Sequence, residues 1–112
     1  LWAGAAAVAL VRVLAAYTYE VLHHHCPWCL FLPEHRFVGF HLFGLLMLTV
    51  LEGCGVWTLA LVVRRCGLPL PGAASRLRAG GGRILWAAVL FSLLAAAPAL
   101  WWRWRFGVWI GG

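Results

Sequence analysis

The stretch "ILWAAVLFSLLAAAPALWW", Ile84 to Trp102, contains no charged residue and is long enough to cross the hydrocarbon core of a bilayer. Two further apolar segments precede it, at 1–22 and 37–63. A backbone inside lipid must satisfy its own hydrogen bonds, which only helices and closed barrels do. The strict alternation of barrel strands is missing from these segments. The sequence therefore predicts an all-α integral membrane bundle with three transmembrane helices.

The composition is that of a membrane protein and not of a nucleic-acid-binding protein. Of the 112 residues, 64% are hydrophobic and 11% are charged, and the mean hydropathy is +0.90. Soluble domains are about a quarter charged. The net charge of +6 rests on arginines that mostly lie at the ends of apolar segments, whereas nucleic-acid binding needs a solvated basic face. We expect one transmembrane domain over 1–112, with membrane lipid and no nucleic acid as a partner.

The two connectors between the spans differ in charge, and this difference predicts an orientation. Connector 64–83 is rich in glycine and proline and holds five arginines, whereas connector 23–36 holds one. Arginine-rich loops stay in the cytoplasm, so 64–83 is expected to be cytoplasmic and 23–36 to face the periplasm or exterior. Because the sequence begins at Leu1 inside an apolar run, we expect further residues upstream. The three helices are then either the whole bundle or part of a four-helix or larger one.

The outer connector contains "HHHCPWCLFLPEHR", His23 to Arg36, in which two cysteines have C-x-x-C spacing. At the start of a helix, residues three apart lie on one face, so Cys26 and Cys29 are close enough to form a disulfide. Unpaired N–H groups at a helix N-terminus favour a thiolate, and Pro27 suits the first turn. We predict that Cys26 and Cys29 are a redox-active pair at the outer mouth of a transmembrane helix.

The same stretch permits other interpretations. Zinc or copper would be held by thiolates and imidazoles, for which the candidate ligands are His23, His24, His25, Cys26 and Cys29. A structural disulfide, or a polar connector without chemistry, is the simplest alternative. Covalent haem attachment is excluded because leucine, and not histidine, follows the second cysteine.

The run "YTYEVLHHHCPWCLF", Tyr17 to Phe31, resembles the region of bacterial vitamin K epoxide reductase homologues where one helix ends and C-x-x-C opens the next. It is also similar to the first C-x-x-C of the bacterial disulfide-bond formation protein B. Both families are small helical bundles that oxidise extracytoplasmic thiols and pass two electrons to a quinone. The resemblance implies a quinone-linked thiol–disulfide oxidoreductase of the bacterial cytoplasmic membrane. It places Cys29 towards the quinone and Cys26 towards the substrate thiol.

The sequence departs from these families in two respects. They usually carry a second cysteine pair in another outer loop, whereas Cys54 lies in the second span here and Cys66 at its cytoplasmic end. These two are about 18 Å apart along a helix, too far to form a disulfide. In the disulfide-bond protein, Gln-Arg follows the second cysteine, whereas here His35 and Arg36 come later. The resemblance therefore implies that an upstream segment or a partner membrane subunit supplies the second pair.

Ionisable residues within the spans are further candidates, because a charge in lipid is costly and is retained mainly for function. Of these, His41 is expected to contact the quinone that the resemblance implies, together with Trp28 and Arg36 of the connector; His41 lies about 8 Å along the helix from Arg36. Glu52 is expected to pair with Arg12 of the first span. The alternative to an enzyme is a non-enzymatic membrane subunit or metal-binding module that uses the His/Cys connector.

Overall fold

The computed structural model describes residues 1–20, 23, 26–67 and 71–110, and within them the chain is helical. The α-helices, in chain order, are α1 (Trp2–Ala9), α2 (Ala15–Tyr19), α3 (Val38–Cys66) and α4 (Ala73–Phe106). A π-helical turn, Leu10–Leu14, joins α1 to α2, and two short 3-10 helices, Pro27–Phe31 and Pro33–His35, lie between α2 and α3. The prediction of an all-α helical bundle is confirmed.

Three helices are long and apolar enough to cross a membrane: Trp2–Tyr19, which combines α1, the π-helical turn and α2, and then α3 and α4. Their apolar side chains mostly point away from the protein. Only 6% of the most apolar stretch of α3 is buried, and 22% of that of α4. An apolar surface of this extent needs a non-aqueous cover, which lipid provides. The chain is therefore a membrane protein.

The helices α3 and α4 are longer than the apolar segments that predicted them. Helix α3 continues to Cys66 and α4 begins at Ala73, so most of the arginine-rich segment 64–83, expected as a loop, is helical. Ser75 supports the beginning of α4, because its hydroxyl donates a hydrogen bond to the Gly72 carbonyl (2.8 Å). The glycines of this segment disfavour an isolated helix, and its packing against α3 provides the stability that the local sequence lacks.

The core follows one face of α4. Its buried residues there are spaced four apart and are Ala87, Phe91, Ala95 and Ala99. A single buried cluster joins this face to the other elements, with members Leu10, Leu30, Leu42, Phe91 and Ala95. Because Leu30 belongs to the first 3-10 helix, residues 26–36 are anchored in the core and are not a loose loop.

An ion pair between Glu52 and Arg83 joins α3 to α4. Arg83 Nε lies 2.7 Å from Oε1 of Glu52, and Nη2 lies 3.1 Å from Oε2, so the contact is bidentate. The prediction that Glu52 pairs with Arg12 is therefore wrong. A helical hairpin with a short turn brings together residues at similar distances from that turn, whereas Arg12 lies in the π-helical segment of another helix.

Helices α3 and α4 approach each other closely at Gly80. A Cβ atom at this position would lie 2.6 Å from Cγ2 of Val56 and 3.7 Å from Oε2 of Glu52. The neighbouring Gly81 and Gly82 have nothing within 4 Å of the corresponding point. Of three consecutive glycines, packing between the helices therefore requires only the first.

We expect Gly80→Ala to lower the free energy of unfolding by about 1–3 kcal/mol, because the added methyl group displaces Val56. The matched control, Gly81→Ala, should raise it by up to about 1 kcal/mol, since alanine forms helices better than glycine. Denaturation in detergent micelles, followed by circular dichroism, measures both values. Equal effects of the two substitutions would contradict the close contact.

Candidate functional site

Two prolines divide residues 26–36 into two short 3-10 helices. A proline keeps the residue before it extended, as observed for Cys26 (φ −74°, ψ 111°) and Leu32 (φ −77°, ψ 151°). Pro27 and Pro33 then open the two 3-10 helices. The C-x-x-C sequence thus begins a five-residue 3-10 helix, and not the transmembrane helix that the sequence led us to expect, which starts at Val38.

The chain enters α3 through two residues in the left-handed conformation, Arg36 (φ 54°) and Phe37 (φ 53°). For residues with a side chain this conformation costs about 1–2 kcal/mol each. Two hydrogen bonds hold the turn: Arg36 N–H donates to the Pro33 carbonyl (2.9 Å), and Phe37 N–H donates to that of Leu32 (3.3 Å). The turn reverses the chain, and so the first 3-10 helix lies against the beginning of α3.

Contact between the first 3-10 helix and α3 is closest at Gly39. A Cβ atom on Gly39 would lie 2.9 Å from the carbonyl carbon of Leu30 and 3.0 Å from its Cβ and carbonyl oxygen. Leu30 is fully buried. A side chain at position 39 would therefore push the cysteine-bearing segment off α3.

Cys26 and Cys29 are both half-buried and lie within hydrogen-bonding reach of each other. A hydrogen bond from the Cys29 thiol, followed by those from the backbone N–H groups of Cys29 and Trp28, lowers the pKa of Cys26. The same thiol–thiol bond, with burial and the charge of Cys26, raises the pKa of Cys29. Cys26 is therefore the sulfur that ionises first. Nearby donors cause this acidity, and not the dipole of a long helix.

Tyr19, the last residue of α2, holds the connector from the other side. Its hydroxyl donates a hydrogen bond to the carbonyl of Cys26 (2.5 Å), and its ring meets the His35 imidazole edge-on at 4.7 Å between centroids. Sequence reasoning gave Tyr19 no role, although it lies inside the stretch that carries the family resemblance. The sequence could have indicated a role for Tyr19 in one way only: its hydroxyl lies at the end of an apolar span, where tyrosine hydroxyls form hydrogen bonds with polar groups.

An apolar cavity of about 140 Å³ is lined by Pro27 and Trp28, which separate the two cysteines in the sequence, and by Phe31 and Phe43. The ring of Phe31 stacks on that of Phe43, with centroids 5.2 Å apart and planes 30° apart. The side chain of Trp28 is 74% exposed and forms an open wall. Aromatic walls of this kind suit a flat apolar ring.

The other residues predicted to bind the quinone are placed differently. Arg36 lines a separate cavity of about 290 Å³ that also includes Glu20, His35 and Trp101. His41 is exposed in the first turns of α3. The structure therefore gathers the two cysteines and Trp28 at one place, with Arg36 in a neighbouring cavity.

Of the three consecutive histidines, His23 is exposed, whereas His24 and His25 lie outside the described residues. Among the residues that the structure describes, no three His, Cys, Asp or Glu side chains are grouped so that they could hold a metal ion. Metal binding by the connector therefore has only the sequence pattern as its basis.

Fold and site together define an all-α membrane protein that carries a Cys-x-x-Cys dithiol outside its three long apolar helices. Comparisons with known proteins give no relative: no family model matches the chain, and no curated protein or solved structure matches it either. The function is therefore argued from the site.

The rate of Cys26 alkylation should reach half of its plateau at a lower pH than that of an ordinary thiol, because a lowered pKa makes thiolate available at lower pH. Cys29→Ala removes the hydrogen-bond donor and should move this midpoint upwards. Iodoacetamide labelling across a pH series, read by mass spectrometry in a Cys54→Ala/Cys66→Ala background, measures the midpoint. An unchanged midpoint in Cys29→Ala would show that Cys29 does not stabilise the thiolate.

Proposed function

We propose that the chain is a quinone-linked membrane thiol–disulfide oxidoreductase whose redox centre is formed by Cys26 and Cys29. The observation that carries this proposal is the hydrogen-bonded thiol pair, in which the pKa of Cys26 is lowered and that of Cys29 is raised. Unequal acidity suits thiol–disulfide exchange, since the rate depends on both the attacking and the leaving sulfur. A purely structural disulfide has no need of this asymmetry.

In the oxidised protein, Cys26 and Cys29 are joined by a disulfide. A substrate thiolate attacks Sγ of Cys26, a mixed disulfide forms, and the Cys29 sulfur leaves and takes up a proton, in keeping with its raised pKa. A second thiolate of the same substrate then attacks the sulfur atom that the substrate contributes to the mixed disulfide. The substrate disulfide forms and Cys26 leaves as a thiolate, which its low pKa favours.

Reoxidation passes two electrons from the Cys26 thiolate and the Cys29 thiol to a quinone, which becomes a quinol by taking the Cys29 proton and one proton from water, while the Cys26–Cys29 disulfide forms again. The apolar cavity that includes Pro27 and Trp28 supports this step, because Trp28, Phe31 and Phe43 offer aromatic faces to a quinone ring. The cavity is about half the size of the smallest typical ligand site. It would therefore hold the ring, and the isoprenoid tail would extend into lipid.

The proposal includes a location. The chain would be a multi-pass protein of the bacterial cytoplasmic membrane, with the cysteine pair on the periplasmic side, where disulfides persist. The charge difference supports this orientation, since segment 64–83 holds five arginines, whereas the opposite side holds three, Arg36, Arg103 and Arg105. The substrate would be an extracytoplasmic thiol protein, reached directly or through a partner that carries a second cysteine pair.

Adding a quinone to isolated membranes should convert Cys26 and Cys29 from alkylatable thiols to a disulfide that a reductant reopens. Cys26→Ala and Cys29→Ala should each abolish the conversion, whereas Cys66→Ala and His23→Ala should retain it. Thiol trapping with a mass-tagged maleimide reads the redox state of each variant. If both thiols of the unmodified chain stay accessible with quinone present, the enzyme proposal is refuted.

Trp28→Ala should raise the KM for quinone about fivefold, because it removes one aromatic wall of the apolar cavity. The matched control is Trp57→Ala, another exposed tryptophan, which lies on α3 and does not line this cavity. Steady-state quinone reduction with a dithiol donor measures both variants. Similar KM values for the two would argue against this cavity as the quinone site.

A further inference from the structure

A second cavity, of about 340 Å³, lies between α3 and α4 in the arginine-rich part of the hairpin. Its wall on α3 has an apolar part, Gly55, Val56 and Leu59, and one charged residue, Glu52. Its wall on α4 carries two basic residues, Arg76 and Arg83. The cavity therefore combines an apolar patch with charged side chains, which suits an amphipathic ligand.

The charges in this cavity leave capacity for an anion. Glu52 binds Arg83 through two of the five guanidinium N–H donors, and three remain for another acceptor. Arg76 has no ion-pair partner among the described residues. Two arginines against one carboxylate give the cavity a net positive charge. The carboxylate also fixes the orientation of Arg83, whose side chain is 58% exposed and so open to a ligand.

The position along α4 matches the level of lipid head groups. Arg83 directly precedes the uncharged run 84–102, and Arg76 lies two turns further from that run, about 10 Å along the helix. Guanidinium groups bind phosphate oxygens through paired N–H donors. Basic pockets between membrane helices on the cytoplasmic side are known to recognise anionic lipid head groups.

We propose that this cavity binds the phosphate of an anionic phospholipid, with Arg76 and Arg83 as donors. Val56 and Leu59 then contact the glycerol and upper acyl region of the same lipid. The apolar wall favours a lipid over free phosphate, and the net positive charge favours an anionic lipid over a zwitterionic one. This lipid site is separate from Cys26 and Cys29. An experiment that disproves lipid binding therefore leaves the redox proposal unaffected.

The test uses the full chain in a neutral detergent, titrated with phosphatidylglycerol, phosphatidylcholine or inorganic phosphate and observed by native mass spectrometry. Phosphatidylglycerol should bind most tightly, and Arg76→Gln should weaken its binding about fivefold. Arg78→Gln is the matched control: it removes the same charge from the same helix but does not line the cavity, so binding should change less than twofold.

Three results would overturn the proposal. Equal losses in Arg76→Gln and Arg78→Gln would indicate attraction to diffuse surface charge. Equal binding of phosphatidylcholine would remove the role of the positive charge, and equally tight binding of inorganic phosphate would indicate a free-anion site. Arg83→Gln should also weaken binding but breaks the pair with Glu52, so Arg76→Gln, which leaves that pair intact, is the deciding variant.

Discussion

The candidate site depends on one close contact, that between Gly39 of α3 and the backbone of Leu30. A glycine is needed because the carbonyl carbon of Leu30 lies 2.9 Å from the point where a Cβ atom would be. Leu30 is buried in the same cluster as Phe91 of α4, so the segment that carries the cysteines is anchored in the core of the bundle. The cysteine pair and its backbone donors lie on this anchored turn, which also provides Pro27, Trp28 and Phe31 to the apolar cavity. The position of the two cysteines on the bundle is therefore fixed by packing.

The two halves of the α3–α4 hairpin are held by different forces. Near the connector, aromatic and leucine side chains pack around Leu30 and Phe91. Near the hairpin turn, the small size of Gly80 permits a close approach, and the Glu52–Arg83 pair crosses beside it. An exposed ion pair contributes to stability mainly when its geometry is good, and the bidentate contact meets that condition. Apolar packing thus holds the helices together near the cysteines, and the Glu52–Arg83 ion pair holds them together near the arginines.

The fold class was predictable from the sequence. Uncharged segments such as 84–102 are long enough to cross lipid, and a segment of this kind satisfies its backbone hydrogen bonds there as a helix. The beginning of α4 was not predictable, because residues 73–83 combine glycines with arginines and owe their helicity to contact with α3. The break between the C-x-x-C turn and α3 had a visible signal in the Leu32-Pro33 dipeptide. Pairings between distant residues, such as Tyr19 with Cys26 and Glu52 with Arg83, arise only once the helices are assembled.

The length of α4 has a physical consequence. Its 34 residues extend about 51 Å, against a hydrocarbon thickness of about 30 Å. The uncharged run 84–102 accounts for about 28 Å of that length and so matches the hydrocarbon by itself. The three turns before it, with Arg76, Arg78 and Arg83, therefore extend about 16 Å beyond the hydrocarbon. The turn that joins α3 to α4 is thereby held in the aqueous phase, where water-soluble molecules can reach it.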